Sequence, residues 1–181
     1  MIYKYFVIIV AGFIMTTTVA HATSYKPDLN CSRADPNDKV AHLLCSNSDA
    51  AKADLQFYQT YYALRQIVGT EGQKKLKTEE KADWGKLSVC DNNPAASQPL
   101  DPACVISILN AITTKYRGRL SGDALQEASR SIDEHIALQQ RLIDLGYLPE
   151  NTTADGVYGA GMRAAIIAWQ NKTGSSKTDG F

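Results

Sequence analysis

The chain has 181 residues, 19 basic and 19 acidic side chains, and a hydrophobic fraction of 44%. Nucleic-acid and anionic-membrane binding both depend on an excess of positive charge, so this balance gives no reason to expect either partner. The length is sufficient for one domain or two small ones.

The first residues have the pattern of a secretory signal peptide. Lys4 supplies a positive charge, residues 6–15 are uncharged and apolar, and Ala20-His21-Ala22 fits a small-x-small cleavage site. A retained anchor is the alternative, but the apolar run is shorter than the roughly 20 residues that cross a bilayer. We therefore expect residues 1–22 to be a signal peptide, removed on export. Loss of Lys4 then leaves 18 basic and 19 acidic side chains in a periplasmic or otherwise exported protein of the cell envelope.

Four cysteines, Cys31, Cys45, Cys90 and Cys104, precede the last third of the chain. An even number in an exported protein predicts two disulfides. A zinc site is disfavoured because no two of them form a C-x-x-C pair. The pairing stays open: Cys45 meets Cys90 if the helices that bear them are antiparallel, or both bridges are local, as Cys31–Cys45 and Cys90–Cys104.

Helical spacing of apolar residues predicts four helices in the first two thirds of the chain, and no segment alternates like a strand. We place them at residues 32–45, from the N-cap candidates at 46–49 to Val68, at 72–89, and from Pro102 onward, with a loop at 91–101. The second helix is crowded with aromatic residues: Phe57, Tyr58, Tyr61 and Tyr62. Because they point in at least two directions, a core role is favoured over a binding surface.

The order of these features resembles the exported lysozyme-inhibitor (LprI-like) N-terminal domains. The resemblance rests on the four cysteines, Leu55, the Tyr-rich helix, Trp84 six residues before the third cysteine, and the Tyr116-x-x-Arg119-Leu120 sequence after the fourth. It implies a helical, disulfide-bonded domain over residues 23–122. It also implies an alternative function, inhibition of a lysozyme-type muramidase.

A different, glycine-punctuated pattern follows the break at Ser121-Gly122-Asp123. An amphipathic helix ends at Gly146, a loop covers residues 149–153, and a second helix covers 161–171. In the turn between them, Gly156 and Gly159 suit a positive φ and Asp155 can accept hydrogen bonds from nearby amides. The helical spacing predicts a core position for five residues: Leu138, Leu142, Leu145, Ala165 and Trp169.

These motifs together resemble the compact three-helix peptidoglycan-binding domain of bacterial wall enzymes. The shared residues are Leu138-Gln139, Leu142, Leu145-Gly146-Tyr147, Asp155 to Gly159, Arg163-Ala164-Ala165, Ala168-Trp169-Gln170 and Thr173-Gly174. The resemblance implies an all-α domain over residues 123–181. Thr178 to Phe181 resembles the turn before the family's third helix, so we expect that helix to be absent or the chain to be truncated.

Binding to a glycan or a muropeptide needs an aromatic ring and a few hydrogen-bonding groups. The candidates around the turn are Asp155, Gly156, Tyr158, Arg163 and Gln170. The sequence therefore predicts peptidoglycan as the principal partner and a muramidase or another envelope protein as a further one. No membrane contact is expected after signal cleavage.

Catalytic chemistry has little support in the sequence. Asp133, Glu134 and Asp144 occupy a solvated helix face, whereas a glycosidase needs two carboxylates held on either side of the scissile bond. The histidines His21, His42 and His135 are scattered, and no nucleophile motif is present. We predict a non-enzymatic protein without a cofactor or a metal.

Overall fold

The computed structural model describes residues 24–92 and 100–181, and in these ranges the regular structure is entirely helical. The all-α prediction is therefore confirmed. The predicted signal peptide lies outside the described residues, as does most of the predicted 91–101 loop. No helix among the described residues is both long enough and apolar enough to cross a membrane.

Seven α-helices form the described fold. They are α1 (Lys39–Ser46), α2 (Ser48–Ile67), α3 (Gly69–Trp84), α4 (Pro102–Arg117), α5 (Gly122–Ser129), α6 (Ile132–Asp144) and α7 (Ala160–Thr173), with 3-10 helices at Cys31–Arg33 and Gly85–Cys90. The predicted helix at 32–45 is interrupted, because Asp38 caps α1 by accepting a hydrogen bond from the amide of Ala41. The predicted helix at 72–89 begins earlier and tightens to a 3-10 helix after Trp84.

The central helix is α2, on which α1, α3, α4 and α5 all pack. Alanines at positions 50, 51, 53 and 63 are buried and let the neighbouring helices approach closely. The Phe57 ring is fully buried, with its centroid 5.6 Å from that of Tyr116 and 5.9 Å from that of Trp84. Tyr61 is also buried, and Tyr58 and Tyr62 are half-buried against the same core. The preference for a core role is confirmed.

Both disulfides are local, joining Cys31 to Cys45 and Cys90 to Cys104. Each bridge spans 14 positions in sequence, and none of the four cysteines is free. The first ties the 3-10 helix at Cys31 to α1, and the second ties the end of the 3-10 helix at Cys90 to α4. The alternative pairing of Cys45 with Cys90 does not form.

Helix α5 connects the two predicted domains. Its residues Ala124 and Ala128 belong to the same core as Phe57 and Tyr116, although the predicted boundary assigns α5 to the C-terminal segment. A second, smaller core lies between α6 and α7 and includes Leu142 and Ile166. The predicted C-terminal segment thus shares a helix with the disulfide-bonded half.

Candidate functional site

The turn between α6 and α7 is held by its own side chains and by a glutamine of α6. Asp155 Oδ1 accepts a hydrogen bond from Val157 N (2.9 Å), as the sequence predicted. Gly156 has a φ of +85°, and its amide donates to Gln139 Oε1 at 2.8 Å. The amide nitrogen of Gln139 in turn donates to Asp155 Oδ1 at 3.3 Å. The expectation of a positive φ is confirmed at Gly156 but wrong at Gly159, whose φ is −67°.

The C-terminal residues form a second turn of the same construction. Gly180 has a φ of +84°, and its amide donates to Gln170 Oε1 at 3.0 Å. The Gln170 side-chain nitrogen donates to Phe181 O at 2.8 Å, while Phe181 N donates to Asp179 Oδ1 at 3.2 Å. Each of α6 and α7 therefore supplies one glutamine that holds one Asp-Gly turn.

The first turn packs against α2 rather than facing solvent. Tyr158 is 1% exposed, its amide donates to Gln59 Oε1 of α2 at 3.0 Å, and its hydroxyl donates to His135 O at 3.1 Å. The neighbouring Val157 packs in a cluster with Leu55 and Ile132. The aromatic residue of the predicted site is thus occupied by contacts inside the protein.

A buried ion pair fixes α5 against α7. Arg163 donates from both terminal nitrogens of its guanidinium to the Glu127 carboxylate, and the two side chains are only 6% and 5% exposed. Gln59 Nε2 also donates to Glu127 Oε1, at 2.7 Å. Arg163 donates further to Gly180 O at 2.7 Å, and its guanidinium carbon lies 4.6 Å from the centre of the Phe181 ring. One arginine therefore joins α5, α7 and the C-terminal turn.

Burial shifts the pKa values of two groups around this pair. Desolvation raises the pKa of the Glu127 carboxyl, and the Arg163 guanidinium opposes that shift. Burial lowers the pKa of His135 to about 4, so its ring is neutral at pH 7. Its Nε2 lies 2.9 Å from Glu127 O, which assigns the proton to Nε2 because a carbonyl can only accept.

Four of the five predicted site residues are buried: Gly156, Tyr158, Arg163 and Gln170, whereas Asp155 is half-buried. Each has a partner within the chain, and their role in ligand binding stays a prediction. Gln59 and Glu127, which are not among the residues predicted from the sequence, also belong to this network. Glu127 lies between Ala124 and Ala128 on the apolar side of α5, and a carboxylate at a core position signals a buried partner.

An open groove of about 590 Å³ lies between α5, α6 and α7. From α6 and its C-cap residue it is lined by Leu138, Arg141, Leu142 and Leu145, which share one face at helical spacing. Leu145 and Trp169 line it with exposures of 47% and 40%, so their predicted core positions are wrong. Leu145 follows the last residue of α6 and Trp169 lies on α7, and both side chains are open to solvent at the groove. Leu142 and Ala165 are buried as predicted, and Leu138 is half-buried.

Residues 132–180 match a family model described as "Putative peptidoglycan binding domain". The matched segment contains α6, both Asp-Gly turns and α7, but it excludes α5. This finding supports the C-terminal resemblance and peptidoglycan binding. Neither the curated proteins nor the solved structures contain a match to the chain. The LprI-like resemblance of the disulfide-bonded half stays a prediction.

Proposed function

We propose that this protein is a non-enzymatic, exported protein that docks on the bacterial cell wall through residues 132–180. The observation that carries the proposal is the match of that segment to peptidoglycan-binding domains. Binding modules of this kind serve to hold a protein at its polymer.

An envelope location is part of the proposal. Both disulfides are of the kind that persists in oxidising compartments such as the periplasm, and they agree with the predicted signal peptide. Peptidoglycan is accessible only outside the cytoplasmic membrane, so the location and the ligand support one another.

We assign Asp155, Gly156, Tyr158, Arg163 and Gln170 to the framework of the binding face. Tyr158 lines the floor of the groove between α5, α6 and α7, together with Phe181. Gln170 fixes the turn that carries Phe181, and Arg163 holds α5 beside α7. In this proposal the buried residues set the shape of the groove, and exposed residues of the same helices contact the polymer.

Muramidase inhibition rests only on the LprI-like resemblance. The Tyr-rich helix, which could have formed an exposed contact surface, contributes its aromatic rings to the core. We therefore retain a muramidase or another envelope protein as a partner hypothesis and do not build the proposed function on it.

The test is co-sedimentation with purified sacculi. The mature protein should sediment with them, and a chain ending at Arg130, which retains the residues of α5, should stay in the supernatant. Circular dichroism of the shortened chain must show that its helices are retained. Failure of the mature protein to sediment would contradict the proposed function.

A further inference from the structure

The groove between α5, α6 and α7 presents two arginine side chains that are not engaged in an ion pair. Arg130, at the end of α5, and Arg141, on α6, are both exposed and line the groove. Neither side chain forms an ion pair or a hydrogen bond with another of the described residues, and the charge of Arg130 acts on Glu127 and Glu134 only at longer range. An arginine held beside a groove in this way is available for a ligand carboxylate, with which it forms two parallel hydrogen bonds.

The acidic side chains of the same groove are already neutralised. Asp123 forms an ion pair with Lys177, and Glu127 is paired with Arg163. The charge that the groove offers to a ligand is therefore that of Arg130 and Arg141. This sign selects an anionic ligand, because an unpaired carboxylate near two exposed guanidinium groups is attracted and an added cation is repelled.

The remaining surface of the groove is apolar. Leu138, Leu145 and Trp169 present hydrophobic groups, and Gln126 is the single uncharged amide side chain that lines it. An exposed tryptophan stacks on a sugar ring as well as on a peptide, so the apolar lining alone does not select between them. The two arginines do, because a free peptide offers carboxylates and a neutral sugar does not. A short peptide with methyl side chains and free carboxylates fits it better, and the volume of about 590 Å³ lies within the usual range for small-ligand sites.

We propose that this groove binds the peptide stem of peptidoglycan through its free carboxylates, with Arg130 and Arg141 as the anion-binding residues and Trp169 and Leu145 as the apolar contact. The proposal rests on the proposed function and names the part of the polymer that is recognised. Arg130 lies outside the segment 132–180 that matches the family. The disulfide-bonded half, through α5, thus completes a site that the matched segment alone leaves open on one side.

The experiment is isothermal titration calorimetry of the mature protein with three probes. These are the free stem tetrapeptide, the same peptide with every carboxylate amidated, and the neutral N-acetylglucosamine tetramer. We expect the free peptide to bind and the other two to bind at least tenfold more weakly. Arg130→Gln and Arg141→Gln should each weaken binding of the free peptide about tenfold, which is the effect of losing one charge-assisted interaction of about 1.4 kcal/mol.

Arg33→Gln is the matched control, because Arg33 is also an exposed arginine but lies in the disulfide-bonded half, outside the groove. It should leave binding unchanged. Four results would overturn the inference. In calorimetry these are equal binding of the amidated peptide, tighter binding of the sugar tetramer, or no binding of the free peptide. In co-sedimentation it is retention of both arginine variants on sacculi at the level of the unaltered protein. If sacculi still retain the unaltered protein in such a case, the proposed function stands. If they do not, it fails independently.

Discussion

Gly156 and Gly159 lie in the same turn, but a side chain would clash with its neighbours only at Gly156. A Cβ at Gly156 would lie 2.9 Å from Ile132 Cγ2 and 3.1 Å from Ile132 O, at a φ of +85°. A Cβ at Gly159 would have nothing within 4 Å, and its φ of −67° suits any residue. These differences arise because the backbone at Gly156 packs directly against Ile132, in the first turn of α6.

We predict that Gly156→Ala lowers the free energy of unfolding by about 2–4 kcal/mol, from backbone strain and overlap with Ile132 together. Gly159→Ala should change it by less than about 1 kcal/mol. Denaturant unfolding of the two variants measures both effects. Equal destabilisation by the two changes would show that Gly156 does not require its positive φ.

Asp54 is a buried carboxyl group that makes the stability of the protein depend on pH. It is fully buried on α2, its Oδ2 accepts from Asp28 N at 2.7 Å, and its Oδ1 has no partner. Burial raises the pKa of Asp54 to about 7; burial, followed by the nearby charge of Asp155, raises that of Asp28 to about 6. At these two groups the folded protein therefore binds more protons than the unfolded chain between pH 4 and 7. Through these two groups, stability decreases as pH rises across that window.

Asp54→Asn should remove much of that dependence, because the amide retains an acceptor for Asp28 N without a buried charge. We expect the variant to be more stable than the unaltered protein by about 2–4 kcal/mol at pH 8 and about equally stable at pH 4. Urea unfolding of both proteins at several pH values gives the difference between their free energies of unfolding. Contributions from other groups such as His135 cancel in this difference. A constant difference across pH would show that Asp54 does not titrate in this range.

At the level of the secondary-structure elements, local rules predict the helices well. Asn47 caps α2 by accepting from Ala50 N, and Pro102 begins α4 directly after the cap at Asp101. These features lie within one or two turns of the chain, where spacing and capping residues are visible in the sequence. The tightening after Trp84 into a 3-10 helix has no such signal, because it depends on how the segment before Cys90 packs.

Helix α5 carries two acidic residues whose ion pairs differ in burial. Glu127 and its partner Arg163 have side chains that are 5% and 6% exposed, whereas Asp123 and its partner Lys177 are 38% and 61% exposed. An exposed pair is screened by water and contributes little, but breaking a buried one leaves a charge without compensation.

Glu127→Gln should therefore lower the free energy of unfolding by about 3–5 kcal/mol. Asp123→Asn, the matched change on the same helix, should cost less than about 1 kcal/mol. Thermal unfolding followed by circular dichroism distinguishes the two. Similar small effects would mean that water reaches the Arg163 guanidinium in solution.

The whole molecule is held together by contacts between segments that are distant in sequence. Besides the Glu127 pair, Tyr158 N donates to Gln59 Oε1, and Tyr25 donates its hydroxyl proton to the Asp133 carboxylate. Leu55 of α2 packs with Ile132 and Val157 of the segment that matches the family model. These contacts couple the matched segment to the disulfide-bonded half.

We predict a single cooperative unfolding transition for the mature protein, with equal calorimetric and van't Hoff enthalpies. Gln59→Leu removes the bonds to both Tyr158 and Glu127 and should lower the transition temperature. Two separate transitions in the unaltered protein would show instead that the halves unfold independently.

The sequence by itself determined the helices, the two Asp-Gly turns, the cysteine content and the family resemblance of the C-terminal segment. Each helix and turn depends on residues within a few positions of one another, and the resemblance depends on the order of such short motifs. The tertiary structure alone decided the local disulfide pairing, the place of α5 on α2, the burial of Tyr158 and Arg163, and the exposure of Trp169. Gln59 and Tyr158 are 99 positions apart. Helical periodicity shows which side of a helix is apolar, but not which distant helix covers it. Whether a given apolar residue is buried or exposed is therefore decided only when the helices pack.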